Sequence, residues 1–121
     1  MGLKVINKPT GGLVHLGTIY YDVDVSLLTP ANIVKLASVF KTIQANGYKK
    51  IWIYGYTDIQ TGVDNQVLSR HRSIRIAEML NAILPQSIVG FKYFGPAKPK
   101  DAAHTQAAFA KNRRSEIWGQ L

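Results

Sequence analysis

Residues 51–85 read IWIYGYTDIQTGVDNQVLSRHRSIRIAEMLNAILP, and the change of rhythm inside this stretch decides the fold. Ile51 to Tyr56 is short, rich in β-branched and aromatic residues, and therefore a strand. Asp58 to Asp64 is polar and contains Gly62, so it is a loop. From about Asn65 to Leu84 the apolar residues return at helical spacing, until Pro85 stops them. Leu68, Arg72, Ile76, Met79, Leu80 and Ile83 fall within one stripe at about 100° per residue. A strand followed by a long amphipathic helix is half of an α/β crossover.

The flanking sequence supplies the rest. Upstream, Val14 to Val25 favours a strand through Ile19, Tyr20, Tyr21 and Val23. Thr29-Pro30 then offers an N-cap with proline at the first helical position, and Gly47 ends that helix. Ile33, Leu36, Phe40 and Ile43 form its expected apolar face. Downstream, Ile88 to Phe94 is a third strand, 102–110 holds a short helix, and Arg114 to Trp118 is a last strand. The order β-α-β-α-β-β predicts an α+β two-layer sandwich, a mixed four-stranded sheet with the long helices on one face. Residues 1–13 form a lead-in and 14–121 one domain.

The composition agrees with a single core-forming unit: 121 residues, 46% hydrophobic and no cysteine. Disulfides, thiolate chemistry and cysteine zinc sites are excluded. No apolar run approaches the roughly 20 residues that a membrane span needs. Fifteen Lys and Arg against seven Asp and Glu give a net charge of +8, which suggests a polyanionic partner. The basic residues are dispersed in small groups (Lys49-Lys50, Lys98/Lys100, Lys111/Arg113/Arg114), so bulk charge names no ligand.

Arg72 is the anomaly in the second helix. A guanidinium in an apolar stripe is costly unless it is paired or its head escapes to water. Two readings follow: a snorkelling arginine, or one that reaches a carboxylate at the helix start. Asp58, at the end of the preceding strand, is the candidate partner, since a strand end and the next helix start are neighbours by construction. Such a pair serves as a salt bridge or as a zwitterion receptor, the carboxylate taking an ammonium and the guanidinium a carboxylate. Asn65 either caps the helix, the more common use, or contacts ligand.

Gly55-Tyr-Thr-Asp58, Asn65-Gln-Val-Leu-Ser-Arg-His-Arg72-Ser and Asn112-Arg-Arg-Ser-Glu-Ile117 together resemble the motifs of the OmpA-like peptidoglycan-binding domain. Tyr21-Asp-Val-Asp24 followed by Leu28-Thr-Pro30 is similar to that family's opening motif. The resemblance spans roughly residues 14–118, with a 58–65 loop one residue shorter than usual. It implies non-covalent binding of the peptidoglycan stem peptide through meso-diaminopimelate, gripped by Asp58 and Arg72. It also carries ligand contacts over to Asp24, Thr57, Asn65 and Leu68, while Arg113 and Arg114 are expected to brace the cleft and the final strand. Members of the family occur as outer-membrane-protein tails, lipoproteins, flagellar stator parts and secretion-system components. The chain is accordingly expected to be a periplasmic or cell-envelope anchor belonging to something larger. A module docking envelope proteins is the alternative.

Competing classes have less support. His15, His71 and His104 lack zinc-ligand spacing, and no nucleophile elbow or phosphate loop occurs, so neither metal, cofactor nor catalysis is expected. Ile51-Trp-Ile-Tyr and Gly90-Phe-Lys-Tyr-Phe94 echo the aromatic strands of an RNA-recognition module. Their order is wrong for that fold, whose first motif lies on the opening strand, so nucleic acid is not an expected partner.

Overall fold

The structure, a computed structural model, describes residues 12–22, 25–59, 64–84 and 89–120. Seven elements follow one another: β1 (Leu13–Tyr20), α1 (Pro30–Ala45), β2 (Lys50–Gly55), α2 (Asn65–Ile83), β3 (Val89–Tyr93), α3 (Gln106–Asn112) and β4 (Arg114–Gln120). The sheet order is β1-β4-β2-β3. The last strand lies antiparallel between β1 and β2, and β2 pairs with β3 in parallel. This is the expected mixed four-stranded α+β sheet, with a third, short helix before β4. The lead-in up to Gly11, Val23, Asp24, Gly62, Pro85 and Ile88 lie outside the described residues.

Period-two alternation sorts the sheet. Ile51 and Ile53 of β2, Ile117 of β4 and Ile19 of β1 are all sealed, and join Leu36, Val39 and Ile43 of α1 with Ile76, Ala77 and Leu80 of α2 in one core. The helix faces differ in detail from the wheel positions expected. On α1 Val39 is buried along with the expected Leu36 and Ile43, whereas Ile33 is 48% exposed; on α2 Ile83 is 45% exposed. In their place α2 buries two serines, Ser69 and Ser73. The reason is the closeness of α2 to β2: a Cβ on Gly55 would collide with the Ser69 carbonyl oxygen and sit 3.1 Å from the Ser73 Cβ. Only small side chains fit where helix and strand backbones approach this nearly.

The helix starts are chemically explicit. Thr29 accepts from the backbone N–H of Asn32 and Pro30 occupies the first turn, as expected. On α2 the cap is Asp64, one residue before Asn65; its Oδ1 accepts from Gln66 N at 2.8 Å and Val67 N at 3.2 Å. Asn65 is therefore the first helical residue and its side chain is released from capping. Replacing Asp64 with alanine is expected to cost about 1 kcal/mol, measured by urea unfolding.

Candidate functional site

The site lies where the end of β2, the start of α2, the end of β1 and the segment before β4 come together. Tyr56 N donates to Arg114 O at 2.9 Å and Thr57 N to Gly95 O at 2.9 Å, so the strand end continues into the loop under backbone control. Gly95 N in turn donates to Ser69 Oγ on α2. Thr57 and Asp58 are consequently sealed, at 1% and 2% exposure. Both line a small cavity of about 120 Å³, shared with Ile59, Pro96, Phe109 and Asn112.

The Asp58 carboxylate is held by Arg113, whose Nη1 lies 3.0 Å from Oδ2. The Arg113 Nε donates to Tyr21 O at 2.8 Å, which fixes the guanidinium between β1 and the strand end. The sequence suggests a partly structural, bracing role for Arg113; the structure sets it as a cation against Asp58. A carboxylate this deep requires such a partner, since removing it from water unpaired costs several kcal/mol.

Arg72 is wholly buried, which overturns the snorkelling reading. Its Nε donates to Val25 O at 2.9 Å, Nη1 to Tyr56 O at 3.0 Å and Nη2 to Asp22 O at 3.0 Å. The guanidinium also lies 4.9 Å from the Tyr21 ring centroid. One planar fork thus ties the β1–α1 connection to the end of β2, a task that suits arginine's divergent donors. The Arg72 carbonyl is itself a hub, accepting from the Tyr21 hydroxyl at 3.1 Å and from Ser115 Oγ at 2.6 Å. Burial pushes the Tyr21 phenol up to about 12, against the lowering effects of the Ser115 hydrogen bond and of the Arg72 and Arg75 charges. The Tyr56 phenol is also raised to about 12, by burial first and then by the Glu116 carboxylate.

Two further expected contact residues carry a distinctive feature. Thr57 Oγ1 and Asn65 Oδ1 are buried and have no hydrogen-bond partner. Buried polar atoms are nearly always paired, so these two oxygens stand out. Leu68, 5% exposed, packs one turn into α2. Asp24 lies outside the described residues. The first residue of the Asn112-Arg-Arg motif is a loop clamp: its Oδ1 accepts from Lys100 N and Asp101 N, and its Nδ2 donates to Asp101 O. Arg114 braces as expected, 2.7 Å from Glu116. Among the described residues no cluster of metal-ligating side chains occurs, and no helix is long and apolar enough to cross a membrane.

Comparison with known proteins places this geometry. No curated protein sequence matches the chain. Among solved structures, the cell wall anchor of the T6SS from Pseudomonas aeruginosa is similar at TM-score 0.77 and 17% identity, over 86% of this chain and 79% of that one. The peptidoglycan-associated lipoprotein from Burkholderia pseudomallei matches at 0.73 and 23% identity, over 85% and 89%. The C-terminal domain of Helicobacter pylori MotB matches at 0.78 and 18% identity, over 87% and 84%. At these identities the likeness concerns the fold. The family model described as the OmpA family matches residues 20–113, from the end of β1 to the arginine that holds Asp58, and the chain belongs to that family.

Proposed function

We propose that the protein binds peptidoglycan non-covalently, through the meso-diaminopimelate of the stem peptide, and so anchors a larger envelope protein or complex to the cell wall. The observation that carries this reading is the buried Asp58 carboxylate at the end of β2, with unpartnered oxygens on Thr57 next to it in the chain and on Asn65 at the start of α2. Acceptors offered by the end of β2 and the start of the next helix suit an ammonium, whose three N–H donors need partners. Arg113, with 13% of its side chain exposed beside Asp58, supplies the positive edge for the carboxylate of the same zwitterion. Arg72 adds charge and ties the carbonyls of Asp22 and Val25 to the end of β2. Leu68 and Asp24 are the remaining residues assigned to the ligand contact. The work is recognition without catalysis, in the periplasm or cell envelope, and the family membership and the cell-wall partners of two similar structures support it.

Co-sedimentation with purified sacculi tests the site. Asp58→Asn keeps the shape and removes the charge, and is expected to lower retention more than tenfold, about 1.4 kcal/mol or greater. Thr57→Val and Asn65→Ala are expected to weaken it several-fold. Sacculi with diaminopimelate stems should be preferred over lysine stems, which lack the second carboxylate. A folded Asp58→Asn variant that sediments like wild type, or equal retention on both wall types, would remove the proposal.

A second reading, a docking module for an envelope protein, is favoured by one observation. Leu27, Ile33 and Val34 at the start of α1 are 64%, 48% and 72% exposed, an apolar cluster that the core does not use.

A further inference from the structure

The side of the sheet turned away from α1 and α2 carries an aromatic row outside the site at Asp58. With Ile51, Ile53 and Gly55 directed at the helices, alternation sends Lys50, Trp52 and Tyr54 to the opposite face. Register places Trp118 of β4 opposite Trp52, and His15 of β1 opposite Trp118. Both tryptophans of the chain therefore share one face. The Trp52 indole lies across β3 at Gly90, where a Cβ would come within 2.7 Å of the ring.

The rings are continuous with the strand end that bears Thr57 and Asp58. Tyr56 stacks on Phe94 at 5.1 Å, Phe94 meets Tyr54 edge-on at 5.6 Å, and Tyr54 lies 6.4 Å from Trp52. Tyr56 is itself buried and joins the row to the strand end, while the half-buried Phe94, Tyr54 and Trp52 are the rings that the face presents. Cations sit over it: Lys50 4.3 Å and Lys92 5.1 Å from the Trp52 ring, Lys98 4.8 Å from Phe94, and Arg114 3.7 Å from Tyr56. Glu116 is the acid opposite Tyr54, and its ion pair with Arg114 leaves the lysines to set the sign of the face.

We infer that this face seats the glycan strand of peptidoglycan while its stem peptide occupies the Asp58 site; the inference rests on the proposed function of that site. A pyranose turns a face of C–H groups towards the electron-rich face of an aromatic ring, the same electrostatic match that favours edge-to-face ring pairs. Exposed cation–π contacts are worth only about 0.5–1 kcal/mol, so the lysines move aside cheaply and meet the carboxylates of neighbouring stem peptides. Because one polymer carries both the peptide and the sugars, filling two adjoining surfaces raises retention through effective concentration. Single-stranded nucleic acid could stack on the same rings. The glycan is favoured because the row abuts the stem-peptide site, and only a polymer bearing both groups fills both surfaces.

The two tryptophans are built-in reporters. The protein is titrated with peptide-free glycan strands released by an amidase, with the isolated diaminopimelate tetrapeptide, and with oligothymidylate, following tryptophan emission. Glycan strands are expected to shift and quench the emission of wild type and of Asp58→Asn alike, while the tetrapeptide leaves it unchanged. Trp52→Ser should weaken retention on sacculi about tenfold, the scale of one lost ring contact, with Trp52→Phe restoring most of it. Lys92→Glu, at an exposed position of β3, should lower retention without disturbing the fold. Glycan strands that leave the emission untouched, wild-type retention by both Trp52→Ser and Lys92→Glu, or a response to oligothymidylate alone would overturn the inference. Tetrapeptide binding is read separately by calorimetry, and glycan binding that persists while calorimetry shows no tetrapeptide binding supports this face and counts against the Asp58 site.

Discussion

Replacing Arg72 with methionine is expected to lower the unfolding free energy by about 3–5 kcal/mol, the usual cost of breaking one side of a buried charged network. Methionine fills much of the arginine volume, so the loss is electrostatic rather than a cavity effect. What it removes are the donors to Val25 O, Tyr56 O and Asp22 O, all behind a side chain with no exposure. Each carbonyl left without a donor costs about 1–3 kcal/mol if water cannot reach it. Lysine should rescue poorly, because one ammonium cannot span acceptors on β2 and on both ends of a loop. Urea unfolding at neutral pH measures the effect. A loss below about 1 kcal/mol would mean that the carbonyls find other donors. Sacculus binding by Arg72→Met should also fall at temperatures where the variant is still folded, since the Asp22 and Val25 carbonyls have lost their tie to the strand end.

Alkaline solution is expected to unfold the protein through its buried phenols. The Tyr21 pKa is raised from 10.0 to about 12 by burial, so the folded state keeps its proton where the unfolded chain releases it. Stability is therefore whole below pH 10 and falls between about 10 and 12, because there the native state binds more protons than the unfolded one. At about 1.4 kcal/mol per unit, Tyr21 alone removes roughly 3 kcal/mol over that range. Tyr56, also raised to about 12, acts in the same direction. Thermal unfolding between pH 9 and 12 should show a steep fall that Tyr21→Phe visibly flattens. That variant should cost about 1 kcal/mol at neutral pH, through the hydrogen bonds to Arg72 O and Ser115. An equally steep fall in Tyr21→Phe would transfer the effect to other groups.

Much of the molecule is legible along the chain. The order of the elements, the Thr29 cap with Pro30 behind it, and the approximate span of α2 follow from local spacing and cap chemistry. Asp58 and the importance of Arg72 were also visible, one as a carboxylate at a strand end, the other as a charge in an apolar stripe. Less local facts were harder. Ile33 and Val39 exchange roles because a helix wheel shows which residues share a face without showing where the neighbouring sheet ends. Ser69 and Ser73 escape any hydrophobicity pattern, since they are buried by the closeness of α2 to Gly55 rather than by their own character. Asp64 could have been found as the cap: it stands one residue before Asn65, and both are good caps.

The aromatic face illustrates the same divide. Ile51-Trp-Ile-Tyr and Gly90-Phe-Lys-Tyr-Phe94 were readable as two aromatic strands, in an order unlike that of an RNA-recognition module. Their adjacency in a parallel pair, with Trp118 inserted from the last strand, depends on register. Register follows from contacts between residues far apart in sequence, here 52 with 118.

The chain by itself thus determined the inventory: a basic α+β domain, its helices and strands, its family, and a carboxylate and a guanidinium that turn out to be buried. Propensity, spacing and capping act over a few residues, and so they are written locally. The tertiary structure decided the partnerships. It set Arg113 against Asp58, made Arg72 a buried tie between the β1–α1 connection and the end of β2 rather than a snorkelling side chain, and gathered both tryptophans on one face. The pairings of 58 with 113, 22 with 72 and 52 with 118 join residues 50 to 66 positions apart, and only the closed sheet brings them within reach.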